Sequence, residues 1–151
     1  MRAIAGLGLV VGLVSATPAM AANWRVAATG GDAPDRSVFL VDTESIRRNG
    51  DSIRFWTQTI MERLDNDRDW DRSVTLREGS CADSSTAIVQ NSFYRAGEHL
   101  ETDRERLAVV FHQPGSMMHG VMAAACGRRE YVTEGVSDPE PLIRAFFAEA
   151  D

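Results

Sequence analysis

The sequence predicts an α+β domain: an antiparallel sheet of about six strands, a helix packed on it, one disulfide and an added C-terminal helix. Three observations favour this fold class. Before Pro114, segments rich in β-branched and aromatic residues are joined by turns too short for helical crossovers, which indicates antiparallel pairing. After Pro114 comes an uncharged run typical of a buried helix, and an amphipathic stripe closes the chain.

Six segments carry strand patterns, and the charged residues 98–106 are predicted to form a turn. Asn49-Gly50 is the strongest hairpin signal, because this pair suits a tight turn between two strands. The strand after it places Ile53 and Ile60 on opposite faces, so we expect a central strand covered on both sides. The predicted strands are residues 23–28, 37–42, 52–62, 73–78, 85–97 and 107–113.

The first helix is predicted from Ser116, a good N-cap residue, to Gly127, a residue that commonly ends helices. No charged residue lies between Ser116 and Cys126, so neither side of this helix suits exposure to water. We therefore expect the sheet to cover one face, and Phe146 or Phe147 to cover part of the other.

The second helix is predicted at residues 138–151. Asp138 can cap it with Pro139 at the first helical position, or Ser137 and Glu140 can form a capping box. Its apolar stripe is expected to dock on the same domain; the alternative is docking on a second copy, which would form a homodimer. The stripe consists of Leu142, Ile143, Phe146 and Phe147.

Residues 1–21 have the pattern of a cleaved secretory signal peptide. Arg2 precedes an uncharged run, and Ala19 and Ala21 form an Ala-x-Ala cleavage site. The strongly apolar part, residues 4–14, is short for a membrane span. No cysteine follows the cleavage site for lipid attachment, so we expect an exported chain without membrane insertion after cleavage, in the periplasm or at the cell surface. The exported part divides into a core domain, residues 22–137, and the C-terminal helix.

Cys81 and Cys126 are the two cysteines of the chain, and both lie in the exported part. In an oxidising compartment an even pair favours a disulfide, and closing this loop stabilises the fold by about 4 kcal/mol in the chain-entropy model. Two free thiols, one of them catalytic, are the alternative.

The chain has a formal net charge of −6 at pH 7. An acidic domain repels the phosphate backbone of nucleic acids and anionic lipid surfaces. Neither is expected as a partner.

No catalytic, cofactor or metal site emerges from the sequence. Ser116 lacks the Gly-x-Ser-x-Gly context of an activated nucleophile and is better explained as a helix cap. His99, His112 and His119 do not have zinc-ligand spacing, although His112 and His119 flank the same turn and could approach each other. The alternating aspartates 65, 67, 69 and 71 resemble the start of a calcium loop, but Trp70 and Leu76 stand where an EF-hand needs Gly and Glu.

Several segments together resemble the surface-adhesin E family. They are Trp24, the run "FLVDTESIRRNGDSIRFW", the cysteine of "EGSC", Tyr94 and Gly97 in "FYRAG", and "QPGS" before a helix that ends at Cys126. The resemblance covers roughly residues 24–127. It implies an antiparallel sheet with a packed helix, tied by a disulfide between the two matching cysteines. It also implies a bacterial surface protein, because the namesake members bind components of the host extracellular matrix.

The expected function is a non-enzymatic binding module of the bacterial envelope, whose partner is a host matrix component or an envelope protein. Binding is expected on the sheet face or on exposed loops such as Arg63 to Arg72. The alternative is a periplasmic accessory or structural protein, dimeric through its C-terminal helix, in envelope assembly or stress.

Overall fold

The computed structural model describes residues 21–63 and 69–149, so all but the last residue of the predicted signal peptide, residues 1–21, lies outside the described residues. In this part of the chain eight strands form one antiparallel sheet. They are β1 (Trp24–Gly30), β2 (Ser37–Asp42), β3 (Arg47–Asn49), β4 (Ser52–Met61), β5 (Arg72–Ser80), β6 (Ser85–Arg95), β7 (Glu98–Asp103) and β8 (Val110–Phe111). The helices are α1 (Met117–Ala125) and α2 (Glu140–Ala148), so the fold is dominated by its sheet.

The strand order is β1-β2-β4-β5-β6-β7, with β3 paired to β4 and β8 paired to β6. Strand β4 is central, as its two apolar faces predicted. The hairpin at Asn49-Gly50 is also confirmed: β3 turns into β4 there, and Gly50 has a φ of 59°, a conformation that glycine adopts without strain.

Two differences from the predicted strands concern the region after β6. Residues 98–103 form strand β7 instead of a turn, because the hairpin register pairs Arg95 with Glu98 and continues to Asn91 and Asp103. The predicted strand 107–113 is reduced to Val110–Phe111, which pairs with the first two residues of β6. A charged segment can form an edge strand because the outer edge of such a strand faces solvent, and charged side chains there hinder pairing with another chain.

The two faces of the sheet carry separate apolar clusters. On the front face, Phe55 is fully buried beneath Val121 and Met122 of helix α1. On the back face, Ile143 of helix α2 packs with Leu40 and Ile60. The faces alternate along β2 and β4, as expected for extended strands.

The expectation that Phe146 or Phe147 covers helix α1 was wrong. Both rings lie against the cluster on the back face, so the sheet separates them from α1. Strand β2 explains the difference, because its side chains Val38 and Leu40 are fully buried on the back face and require a cover of their own.

The helix ends largely follow the predicted signals. Ser116 caps α1 by accepting a hydrogen bond from the backbone N–H of His119 at 3.2 Å, and Gly127 follows the last turn with a φ of 71°. Helix α2 begins at Glu140, whose backbone N–H donates to the carboxylate of Asp138.

Cys81 and Cys126 form the expected disulfide, which joins the turn after β5 to the end of α1. No helix of the described residues is long and apolar enough to span a membrane.

Candidate binding site

A cavity of about 500 Å³ opens on the back face, where β3, β4, β5 and β6 meet the segment before β8. Because side chains alternate along β4, Arg54 lies on the same face as Ile60, six residues along the strand. The cavity is therefore at the end of the sheet away from α2. We call it the arginine groove, after the residues Arg47, Arg48, Arg54 and Arg106 in its lining.

Arg47 and Arg54 face each other across the β3–β4 hairpin. Residues directly opposite in an antiparallel pair have Cβ atoms about 4.5–5.5 Å apart, and like charges at such positions repel. The guanidinium of Arg47 donates to the backbone carbonyls of Glu44 at 2.8 Å and Ile46 at 3.0 Å. These contacts orient Arg47 but leave its charge unneutralised.

Among the described residues that line the groove, Glu78 is the only one with a carboxylate. It lies opposite Arg54 in the β4–β5 register, 3.7 Å from that guanidinium, and it also accepts a hydrogen bond from Arg106. One carboxylate is thus shared between two arginines.

Arg48 occupies the other face of β3. Its guanidinium donates to the backbone carbonyl of Ala125 at the end of α1. Cations stabilise the C-terminal end of a helix, so this side chain links the rim of the groove to α1. The disulfide lies at the same helix end.

An exposed apolar edge adjoins the groove. In residues 107–111 four large apolar side chains are about half exposed or more: Leu107 47%, Val109 52%, Val110 55% and Phe111 67%. Val109 also lines the groove. Phe111 pairs with Ser85, another lining residue, so its side chain lies on the groove side of the sheet.

The edge of strand β8 is open. His112 donates to Ser84 and Leu107 donates to Ile88, which fixes the pairing with β6. Because hydrogen-bonding direction alternates along an antiparallel strand, the backbone groups of Val109 and Phe111 point away from β6. Within residues 21–63 and 69–149 no further strand pairs with β8.

The structure separates the three histidines. His99 pairs with Tyr94 at one end of β6 and shares a hydrogen bond of 2.8 Å with Thr102. His112 lies at the opposite end of that strand and shares a hydrogen bond of 2.7 Å with Thr86. No common site for all three histidines is therefore formed. Among the described residues, no group of three or more His, Cys, Asp or Glu side chains is placed to hold a metal ion.

The environment of His112 lowers its pKa below the usual 6.5. Desolvation is the largest cause, followed by the positive charges of Arg77 and His119. Burial also lowers the pKa of Arg77, to about 10. His119 is near enough to His112 to act electrostatically, as the sequence allowed.

A pH dependence of stability is expected from His112. The unfolded chain binds a proton at this histidine more readily than the folded chain does, so stability falls as the pH drops below 6.5 towards the folded pKa. The variant His112→Gln should lose this part of the pH dependence. Urea unfolding of both proteins between about pH 7.5 and pH 5 measures the free energy of unfolding at each pH. If the wild type and the variant lose the same free energy of unfolding over this range, the prediction is wrong.

The loop named in the sequence analysis adjoins a second cavity, of about 560 Å³, between the sheet and α2. Arg63 and Arg72 line it, but residues 64–68 lie outside the described residues, and with them Asp65 and Asp67 of the calcium-loop pattern. Asp71 accepts a hydrogen bond from the backbone N–H of Ala96, a role in the loop structure.

The arginine groove was not predicted from the sequence, although the pairing of two of its arginines could have been. Once Asn49-Gly50 is taken as a tight hairpin turn, Arg47 and Arg54 fall on paired positions. Arg106 could not be found in this way, since its approach to Glu78 depends on the return of the chain after β7.

In its described residues, this is a sheet-dominated, disulfide-linked protein with an open groove and an edge strand, β8, that pairs with β6 on one side only. The sequence model of the family described as Surface-adhesin protein E matches residues 24–127, more than half of the chain. The chain belongs to this family, which confirms the resemblance. A solved structure of Haemophilus influenzae protein E, crystal form II, is similar with a TM-score of 0.49 and 13% sequence identity; the match covers 78% of this chain and 97% of that one. No curated protein matches at a significant level.

Proposed function

We propose that this protein is an exported, non-enzymatic binding module of the bacterial envelope, which holds a protein partner at the edge strand β8 and the adjoining arginine groove. Membership of the surface-adhesin E family supports a binding role. The signal-peptide pattern of residues 1–21 supports export.

The observation that carries the proposal is the exposed apolar segment 107–111 at an unpaired sheet edge. Proteins usually shorten, charge or cover such edges, because a free strand edge pairs readily with another chain. Here the edge is short, yet Val109, Val110 and Phe111 are all more than half exposed. Clustered apolar side chains next to charged groups are typical of an interaction surface.

The opposite edge of the sheet gives a useful contrast. There the outer side of β1 is covered, because Val132 donates to Val26 and Trp24 exchanges two backbone hydrogen bonds with Val136. Among the described residues of this covering segment, Val132 is the one large apolar side chain that is strongly exposed, at 59%.

The partner decides between two roles. As an adhesin, the protein binds a component of the host matrix from the cell surface. As a periplasmic accessory or structural protein, it binds an envelope protein or a second copy of itself. The open edge of β8 favours this second candidate as well, since two such edges can pair across a two-fold axis.

Site-specific photocrosslinking tests the proposal. A photoreactive amino acid replaces Phe111 in one strain and Val132 in another, which is a matched control because both side chains are apolar and exposed. Intact cells are irradiated with and without host matrix, and adducts are identified by mass spectrometry. Each partner is then purified and its affinity for the unmodified protein is measured.

We expect specific adducts from position 111 and none from position 132. A matrix adduct, with the protein accessible to protease on intact cells, establishes the adhesin. An adduct to an envelope protein or to a second copy, with release only by osmotic shock, establishes the periplasmic role. If position 111 yields no more adducts than position 132, the proposed binding surface is wrong.

A further inference from the structure

We infer that the arginine groove recognises carboxylate groups of an extended acidic segment of the protein partner. This inference rests on the proposed function and specifies the chemistry of its ligand. It is carried by the charges in the groove, by the exposed side chains beside it and by its dimensions.

The first step is the pairing of Arg47 with Arg54. Their cross-strand position is unfavourable for two cations, and the neutral carbonyls that hold Arg47 do not remove the repulsion. A carboxylate between two guanidinium groups accepts hydrogen bonds from both and offsets one of their two positive charges. The pair therefore has the composition of an anion site.

The second step is the charge balance. Three guanidinium groups, those of Arg47, Arg54 and Arg106, lie on the groove side with the single carboxylate of Glu78. The groove is thus locally cationic in a chain whose formal net charge is −6. A local field opposite in sign to the whole protein attracts and orients an anionic partner segment.

The third step concerns the kind of anion. The exposed side chain of Val109 lines the cavity at its β8 end, and Phe111, also exposed, lies opposite the lining residue Ser85. Apolar contacts of this kind suit the side chains of a peptide and add little to the binding of a sulfated sugar or a free anion. A protein segment uses both ends of the groove, with its carboxylates at the arginines and an apolar residue against β8.

The dimensions set the length of the segment. Strands lie in the order β3, β4, β5, β6 and β8, so the groove crosses four strand spacings, or at most about 19 Å. An extended chain covers this distance with about six residues. We expect acidic residues in one half of such a segment and an apolar residue in the other.

Selection from a random library of about 12-residue peptides, displayed on phage, tests the inference, since this length exceeds the six-residue span by a factor of about two. The bait is the full exported chain. The expected result is enrichment of Asp and Glu together with an apolar residue. Affinities of the selected peptides are then measured by fluorescence polarisation for the wild type, Arg54→Gln, Arg47→Gln and the control Arg144→Gln, whose side chain is 77% exposed on α2.

We expect each groove variant to weaken binding about tenfold, the effect of losing one charge-assisted contact, and the control to leave affinity unchanged. Binding should also weaken towards about 1 M salt, where the screening length falls to about 3 Å. Thermal unfolding of Arg54→Gln provides a second readout. The variant removes a cation opposed to Arg47 and also an exposed ion pair with Glu78, which keeps its contact with Arg106. Its Tm should therefore stay close to that of the wild type, and an affinity loss cannot then be ascribed to unfolding.

Three results would overturn the inference. One is a selection without acidic enrichment, and another is equal affinity of the groove variants and the wild type. The third is binding of a sulfated oligosaccharide that depends on Arg54 while no acidic peptide is selected, which would identify a polysaccharide ligand. If any of these occurs while Phe111 still gives specific adducts, only the acidic chemistry is wrong; loss of the adducts refutes the proposed function itself.

Discussion

Replacing both Cys81 and Cys126 by alanine is expected to lower the free energy of unfolding by about 4 kcal/mol. The two cysteines are separated by 45 residues, and the disulfide between them restricts the unfolded chain over this whole loop. It also ties α1 to the turn after β5, across the front face of the sheet.

Urea unfolding of the wild type and the double variant measures this effect. Both proteins are examined with and without reductant, and the reductant should destabilise the wild type alone. Because Arg48 reaches Ala125 at the same end of α1, the double variant should also bind groove peptides less tightly. A loss of stability below about 1 kcal/mol would show that α1 stays docked without the covalent link.

Replacing Arg36 by methionine is expected to be the second most damaging change. Only 10% of this side chain is exposed, and its guanidinium pairs with Glu62 at 2.6 Å. It also donates to the backbone carbonyls of Phe146 at 3.3 Å and Phe147 at 2.5 Å, near the end of α2. Arg36 therefore caps the helix with charge-assisted hydrogen bonds and fastens it to the back face.

Hydrogen bonds to charged groups contribute about 1.5–3 kcal/mol each, so Arg36→Met should lower the free energy of unfolding by about 3 kcal/mol. The matched control is Arg63→Met, because Arg63 makes a comparable two-point contact with Asp35 at the surface, where the side chains are 56% and 63% exposed. The control should change stability little, as is usual for exposed ion pairs. Hydrogen exchange of α2 should increase in the Arg36 variant only.

The same contact has a pH signature. Hydrogen bonding from Arg36 lowers the pKa of Glu62 below 4.5. The stability that the ionised carboxylate of Glu62 contributes is therefore present above pH 4.5 and is lost as the pH falls through the pKa of Glu62 in the folded protein. In Arg36→Met this acid-sensitive part should be smaller, whereas Arg63→Met should keep most of it. Equal acid sensitivity in all three proteins would contradict the assigned role of Arg36.

Local patterns predicted much of the sheet. Asn49-Gly50 specified a hairpin, and the two apolar faces of β4 specified a central strand. Such features depend on neighbours in sequence, on turn chemistry and on alternation of side chains. Strand β7 was missed for a related reason: its charged residues lie at an edge, where alternation of apolar and polar residues is not required.

The positions of the two helices could not be obtained in the same way. Helix α2 carried a clear apolar stripe, but a stripe does not identify the surface that it covers. The sequence predicts that Phe146 or Phe147 covers part of α1, whereas both pack on the back face, where the apolar residues of β1 and β2 need burial. The buried contact of Arg36 with the end of α2 depends on this placement.

Sequence alone determined most of the strands before residue 98, the hairpin at Asn49-Gly50, the cap at Ser116 and the family to which the chain belongs, because these depend on local chemistry and on residue order. Only the tertiary structure decided which side of the sheet each helix covers and which arginines share a cavity. These features depend on contacts between segments far apart in the chain. Arg54, Glu78 and Arg106 are brought together by strand pairing and chain return, and no local pattern encodes that meeting.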